Sequence, residues 1–239
     1  MEWNPRILRD DVEQVYGTAH RRLVDESSTS IVERQQYACY HFHEAKEIFN
    51  GYFRERTTAK ESIDLIFRKS DSDRDGFDLI YTQTRAHIVA FMQSLHSISD
   101  ILSHVVYYSL ALDLSKKCKI EIDRLNIYNL SKFFECEKDS YASLLELINE
   151  LTQNDDYKYL SDVVNHSKHR RIVEPSFTVN LRKLEGEFHE IRFREFDYKG
   201  KKHNARLAFD FMEGEFDRQN LLIIRIGNEL NKIVRDCSY

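Results

Sequence analysis

The longest hydrophobic pattern of the chain lies between residues 88 and 112. Apolar residues recur there at three- and four-residue steps, the spacing that places them on one side of an α-helix. The first stripe consists of Ile88, Phe91, Leu95, Ile98, Leu102, Val105 and Leu112. A second stripe beside it consists of Val89, Met92, His96, Val106 and Leu110. A helix with two apolar stripes contacts neighbours on two sides, so the pattern predicts the central helix of a bundle.

Comparable spacing predicts helices on both sides of this central one. Ser28 and Thr29 are good caps for a helix that continues to about Arg54, after a first short helix at 10–25. The polar stretch 70–76 predicts a loop that leads into the central helix. The remaining predicted helices cover residues 58–69, 124–134, 139–152, 155–172 and 215–236.

The periodicity changes from helical to alternating after Pro175. Apolar and polar residues alternate over three stretches, which predict the strands of a small antiparallel β-meander at 176–184, 188–198 and 203–212. The segment Lys199-Gly200-Lys201 predicts the turn between the last two. The fold class is therefore mainly α: a helical bundle at 1–173, a β-meander appendage at 174–212, and a C-terminal helix at 213–239 that packs back on the bundle.

The composition supports a folded, mainly helical protein inside the cell. Only 2 Pro and 7 Gly occur in 239 residues, and 41% of the residues are hydrophobic. No apolar run approaches the roughly 18 residues of a membrane span, and the N-terminus lacks the pattern of a signal peptide. The four cysteines are far apart, which argues against a disulfide framework. We therefore expect a cytoplasmic protein without membrane contact.

Charge is distributed unevenly along the chain. The net charge is −5, yet residues 158–206 contain 12 Lys and Arg against 7 Asp and Glu, so this segment alone carries +5. A locally basic segment in an acidic protein is compatible with a confined anion-binding surface. It is equally compatible with an ordinary solvated face.

The predicted helix at 155–172 carries the most informative cluster of polar residues. Asn154 is a good cap for it, with acidic residues in the first turn. Its apolar side holds Tyr157, Leu160, Val163, Val164 and Ser167. The opposite side holds Asp162, Asn165, His166 and His169, flanked by Lys168 and Arg170. This polar side is either a site or a solvated helix face.

A bundle of long helices whose last core helix carries Asn-x-x-x-His and then basic residues resembles the HEPN superfamily. Asn165 and His169 supply that pattern, and the match covers about residues 29–172 at the level of architecture. Members of the superfamily are helical bundles, commonly dimeric, and many are RNases with an Arg-x(4–6)-His motif in a cleft between two protomers. Val164 stands where that motif has its arginine.

The resemblance implies a protein that interacts with RNA or a nucleotide, in a bacterial toxin or defence setting, as a homodimer. It implies His169 and Asn165 as the catalytic pair, with weak or absent cleavage because the arginine that stabilises the phosphate is missing. The expected binding residues are Asp162, His166, Lys168, Arg170, Arg171, Lys199, Lys201 and Lys202. We expect the face from Asp162 to His169 to line or border the dimer interface.

Two other functions stay open from the sequence. The protein can be a non-catalytic helical scaffold that binds another protein through the meander edge or a bundle face. It can also be an active, metal-independent RNase in which Lys168 or Arg170 replaces the missing arginine. The first alternative requires an exposed apolar patch, whereas the second requires a basic cleft.

No cofactor and no metal site are expected. Residues 71–76 match the opening of an EF-hand calcium loop, but Thr82 stands where the loop needs a bidentate glutamate. The interpretation as a polar loop between helices is therefore preferred. His41 and His43 point in nearly opposite directions from one helix and cannot bind one metal together.

Overall fold

The computed structural model describes residues 2–54, 58–66, 71–115, 120–180 and 188–237, with the backbone alone at 59, 62, 65, 66, 71–73, 138 and 139. In this part of the chain the fold is mainly helical, with a small antiparallel sheet and a long C-terminal helix. The helices are α1 (Pro5–Tyr16), α2 (Thr18–Phe53), α3 (Ala59–Ile66), α4 (Asp71–Ser109), α5 (Ile127–Cys136), α6 (Lys138–Thr152), α7 (Asp155–His169) and α8 (Ala208–Asp236). The strands are β1 (Pro175–Val179), β2 (His189–Phe193), β3 (Phe196–Tyr198), β4 (Lys201–His203) and β5 (Arg206–Leu207).

The chain divides into two compact units. Unit 1 comprises Met1–Gln36, Leu95–Lys158 and Glu215–Tyr239, and unit 2 comprises Tyr37–Ser94 and Tyr159–Gly214. The helices α2, α4, α7 and α8 contribute residues to both. No helix among the described residues is long and apolar enough to cross a membrane.

Unit 1 is helical wherever it has regular structure in its described residues. Asn4 caps α1 by accepting a hydrogen bond from the backbone N–H of Arg6 at 3.0 Å. Gly17, with φ at +87°, ends α1 and lets α2 begin at the next residue. Asn126 and Asn154 cap α5 and α7 in the same way, and the Asn154 cap confirms the predicted start of α7.

Unit 2 contains all five strands. They form a three-stranded antiparallel sheet in the order β1-β2-β5 and a separate β3–β4 hairpin. In the hairpin, Phe196 pairs with His203 and Tyr198 pairs with Lys201. Lys199 and Gly200 both have positive φ, at 49° and 79°, as a two-residue type I′ turn requires, so the predicted turn is confirmed.

The predicted helices are confirmed as helices, but several of their predicted boundaries are wrong. The stripe from Ile88 to Val105 is buried in α4 as predicted. The predicted break before Ser28 is wrong, because Ser28 lies inside the continuous helix α2 and its hydroxyl donates to the carbonyl of Asp25. Leu112 lies beyond the end of α4, after Ala111 enters the left-handed region with φ at +47°.

The loop expected at 70–76 is also corrected, since α4 already begins at Asp71. Residues 71–76 are therefore helical, and a helix cannot wrap carboxylates around one cation as the EF-hand loop does. Residue 70 and residues 67–69, where the preceding helix was expected to end, lie outside the described residues.

The predicted meander is only partly right. Strands were expected at 188–198 and 203–212, but 188–198 contains two strands from two different sheets, and regular strand structure after 203 is limited to β5. From Ala208 the chain is helical, because Ala208, Phe211, Met212 and Glu215 are buried at steps of one helical turn. Of the first predicted strand, β1 forms, and residues 181–184 lie outside the described part of the chain.

Candidate functional site

The C-terminal end of α7 brings basic residues to one place in unit 2. Its buried side holds the predicted apolar residues Leu160, Val163 and Val164, of which none is more than 3% exposed. The backbone N–H groups of Arg170 and Arg171 both donate to the carbonyl of His166, at 2.9 and 3.2 Å, which closes the last turn. Positive side chains are favoured there, because the free carbonyls at a helix C-terminus carry partial negative charge.

The β3–β4 hairpin covers part of the polar side of α7. His203 of β4 lies against Asp162 of α7, with 2.9 Å between Nε2 and Oδ2. The ring of His166 packs edge-on against Phe196 and Tyr198, at centroid distances of 5.6 and 5.7 Å. His166 is consequently only 4% exposed, so this part of the helix is neither a solvated face nor an open catalytic surface.

A pocket of about 380 Å³ opens where the end of α7 meets the hairpin. We call it the α7–hairpin pocket. From α7 and the residues that follow it, His166, Arg170 and Arg171 line it. From the hairpin and the residue before it, Glu195, Phe196, Asp197 and Lys202 line it.

The positively charged side chains of this pocket differ in whether they already have a partner within the protein. Lys202 forms an ion pair with Glu195, with 3.1 Å between Nζ and Oε2. The guanidinium of Arg170 lies 5.2 Å from the ring centroid of Tyr198, a cation–π contact. Within the described residues, no carboxylate pairs with Arg170 or Arg171. Two guanidinium groups at the pocket therefore keep their donors for a ligand.

His166 has a defined proton position. Its Nδ1 lies 2.7 Å from the backbone carbonyl oxygen of Arg171. A carbonyl oxygen only accepts hydrogen bonds, so Nδ1 carries the proton that forms this contact. The contact also fixes the backbone between His166 and Arg171, which positions both arginines at the pocket.

His203 secures the hairpin to α7. Burial lowers the pKa of the His203 imidazole below the ordinary value of 6.5, and the nearby cations Lys201 and Arg206 lower it further, while Asp162 acts in the opposite direction. A neutral His203 donates its Nε2 proton to the Asp162 carboxylate. The pair is thus a hydrogen bond that positions the hairpin beside α7.

The pocket brings together four of the predicted site residues: His166, Arg170, Arg171 and Lys202. The predicted catalytic pair is not among its lining residues. His169 and Lys168 are exposed, and the amide of Asn165 donates to the hydroxyl of Ser161 at 3.2 Å.

The remaining predicted binding residues lie on the hairpin and α7. Lys199 stacks over Tyr198 at 5.2 Å from the ring centroid, Lys201 is exposed, and Asp162 holds His203. Sequence reasoning missed Glu195, Phe196 and Asp197. The alternation of apolar and polar residues in Phe196, Asp197 and Tyr198 was a signal for the strand β3, but not for its packing on α7.

Among the described residues, no group of three or more His, Cys, Asp or Glu side chains is arranged to hold a metal ion. The comparisons with known proteins identify no relative: no family model matches the chain, and neither a curated protein nor a solved structure matches it.

Proposed function

We propose that this protein binds a phosphate group of RNA or of a nucleotide in the α7–hairpin pocket, with little or no cleavage. One observation carries the proposal: Arg170 and Arg171 border a pocket without a carboxylate partner in the described residues. A guanidinium presents a planar fork of N–H donors that matches two oxygens of a phosphate, so two such groups favour a phosphate ligand.

The other lining residues fit a nucleotide better than a bare anion. Glu195 and Asp197 accept hydrogen bonds, which suits ribose hydroxyls and the amino groups of bases. Phe196 and the ring of His166 add an apolar surface. With three cations against two carboxylates, the pocket carries a small positive charge, which favours a phosphate over a neutral ligand.

Weak cleavage follows from the position of the motif residues. Val164, where HEPN RNases have arginine, is 2% exposed, so it supplies no charge to a scissile phosphate. His169 and Asn165 do not line the pocket, and the Nδ1 proton of His166 is engaged by a carbonyl. The predicted catalytic pair is therefore not brought together with the arginines that would bind the phosphate.

The relation to the HEPN superfamily and the homodimer belong to the same proposal. The mainly helical architecture supports the relation, and a partner subunit is a second source of the missing cation. Light scattering of the purified protein tests the oligomeric state. A protein concentration on the order of tens of micromolar is suited to detecting a weak dimer.

Binding is tested by fluorescence anisotropy with a labelled 12-nucleotide RNA and with a labelled adenosine nucleotide. The double variant Arg170→Gln/Arg171→Gln is compared with Arg22→Gln/Lys132→Gln, which removes two exposed cations of unit 1. We expect the first to weaken binding by about tenfold or more and to flatten the dependence of log K on log salt by about 1.4 for RNA. Equal affinity of both double variants for both probes contradicts the proposal.

Cleavage is assayed with the same RNA in the presence of EDTA. We expect no product above background from the wild-type chain. Robust cleavage that is abolished by His169→Ala would instead favour the alternative of an active RNase in which His169 and Asn165 form the catalytic pair.

A further inference from the structure

Two histidines that are 46 positions apart in sequence meet inside unit 2. His41 of α2 and His87 of α4 are both half-buried, and their Nδ1 atoms lie 2.9 Å apart. Their ring centroids are 5.2 Å apart with an angle of 51° between the planes. Identical nitrogen atoms at this distance require something between them, either a shared proton or a cation that accepts both lone pairs.

The packing of the two helices holds this pair in place. The ring of Phe42, next to His41, contacts the ring of Phe91 at a centroid distance of 6.1 Å, one turn after His87. Ile88 is fully buried beside His87. The Tyr40 ring lies against both imidazoles, at 5.3 and 6.1 Å between centroids. The imidazoles are therefore positioned by the packing of α2 against α4 around the buried Ile88 and Phe91, as well as by their contact with each other.

The separation of the two nitrogens selects a coordination geometry. Imidazole nitrogens bind transition metals at about 2.0–2.1 Å, so two of them 2.9 Å apart subtend about 90° at the metal. That is the angle between neighbouring ligands in square-planar or tetragonal coordination, which Cu²⁺ prefers. A tetrahedral Zn²⁺ ion needs nitrogens about 3.3 Å apart.

We propose that His41 and His87 bind a Cu²⁺ ion through their Nδ1 atoms as neighbouring ligands, with water in the other positions. No third His, Cys, Asp or Glu joins them among the described side chains, so the site is an exchangeable two-histidine site that links α2 to α4. Both residues belong to one unit, and the site is independent of the α7–hairpin pocket.

The charge near the pair agrees with this role. Glu44 lies close enough to His41 to interact with it electrostatically, and its negative charge favours a cation at the pair.

The test titrates CuSO₄ into the full-length, tag-free chain at pH 7.5 by calorimetry, with electron paramagnetic resonance on the loaded protein. The variants His41→Gln and His87→Gln are compared with His43→Gln, which removes an exposed histidine of the same helix that faces elsewhere. We expect the first two to lower Cu²⁺ affinity at least tenfold and the control to keep it. The wild-type spectrum should be axial with splitting from two nitrogens, and Zn²⁺ should bind at least tenfold more weakly.

A second readout keeps the test decisive. Circular dichroism checks that each variant is folded, and the thermal midpoint of the wild type should rise with Cu²⁺, whereas those of His41→Gln and His87→Gln should not. Cu²⁺ affinity that is the same in all three variants overturns the site. Preference for Zn²⁺ over Cu²⁺ overturns the geometric argument, and a midpoint that rises equally in wild type and both variants overturns the proposed link between α2 and α4.

Discussion

Arg218 of unit 1 and the pair Arg170 and Arg171 of unit 2 are used in opposite ways. In unit 1, Arg218 donates to both carboxylate oxygens of Glu215 at 2.7 Å and to the carbonyls of Glu150 and Leu151 at 3.2 Å. Glu215 is 1% exposed and also accepts from Gln219 at 2.7 Å. In unit 2, Arg170 contacts an aromatic ring, and neither it nor Arg171 has a carboxylate partner in the described residues.

This difference separates a structural arginine from one that is available to a ligand. The donors of Arg218 are already engaged, and its charge offsets that of a carboxylate that has lost its water. The donors of Arg170 and Arg171 still face solvent and the pocket. Removing the first should therefore cost stability and leave binding intact, whereas removing the others should do the reverse.

The largest effect is expected from Arg218→Ala. It leaves the Glu215 carboxylate buried without its cation, which typically costs about 3–5 kcal/mol of unfolding free energy. Arg171→Ala should change stability by less than about 0.5 kcal/mol, since an exposed side chain without partners contributes little. Urea unfolding of both variants, followed by circular dichroism, measures the contrast. Similar losses in the two would refute the distinction between the two kinds of arginine.

A slightly smaller loss is expected when an arginine is placed in the core without acceptors. Val164→Arg introduces the residue that HEPN RNases have at the matching place of their motif, at a position that is 2% exposed here. A buried, unpaired charge is costly, although a long side chain recovers part of the cost by reaching toward water, so we expect about 2–4 kcal/mol. The control Val32→Arg introduces the same residue at a valine that is 42% exposed and should change stability by less than about 0.5 kcal/mol.

Thermal and urea unfolding of the two valine variants measure this difference. If Val164→Arg is as stable as the control, then the helix side that carries residue 164 opens more readily than its burial implies. A gain of RNA cleavage in that folded variant would then support the proposed family relation.

The next effect concerns pH and the hydrogen bond that holds the hairpin to α7. The pKa of His203 is lowered in the folded chain, so the unfolded chain binds the proton more readily. The stability from this group is complete above pH 6.5 and is lost as the pH falls through the lowered pKa. Lys201 and Arg206 strengthen the trend, and Asp162 weakens it.

Unfolding free energies at pH 7.5 and pH 5 check this sign. The wild type should lose more unfolding free energy than His203→Gln between the two pH values. His41 and His104, whose pKa values burial also lowers, contribute equally to both proteins and cancel in the comparison. A pH dependence that is unchanged in His203→Gln would contradict a neutral, structurally held His203.

Much of the helical fold could be predicted because its causes are local. The stripe from Ile88 to Val105 repeats with the helical period, and the cap at Asn154 and the turn at Lys199-Gly200 depend on the residues themselves. The predicted strand at 203–212 was wrong because a short local pattern competed with a longer one. Leu207, Phe209 and Phe211 stand at every second position, as in a strand, but Phe209 and Phe211 also belong to the long helical pattern that begins at Ala208, and the structure is helical there.

The candidate site could be predicted only in part, because it depends on contacts between distant residues. The basic cluster after α7 was visible in the sequence. That His166 would be covered by Phe196 and Tyr198 was not, since the pairing of β3 with β4 and their packing on α7 leave no local signal. The meeting of His41 with His87 was hidden in the same way, because it depends on how α2 and α4 pack.

The smallest effect distinguishes the shape of the arginine side chain from its charge. Arg170→Lys and Arg171→Lys keep the positive charge at the pocket but replace a planar fork with a single ammonium group. If the two arginines bind a phosphate through paired N–H donors, each change should weaken nucleotide binding by about three- to tenfold. The salt dependence should stay the same, because the number of neutralised phosphates does not change. Anisotropy titrations at several salt concentrations measure both quantities, with Lys202→Arg as the matched control that adds a fork where Glu195 already holds the cation. Unaltered affinity in both lysine variants would mean that the pocket attracts its ligand by charge alone. These arginines would then differ from Arg218 in their contribution to stability, and the shape of the guanidinium would play no part in ligand binding.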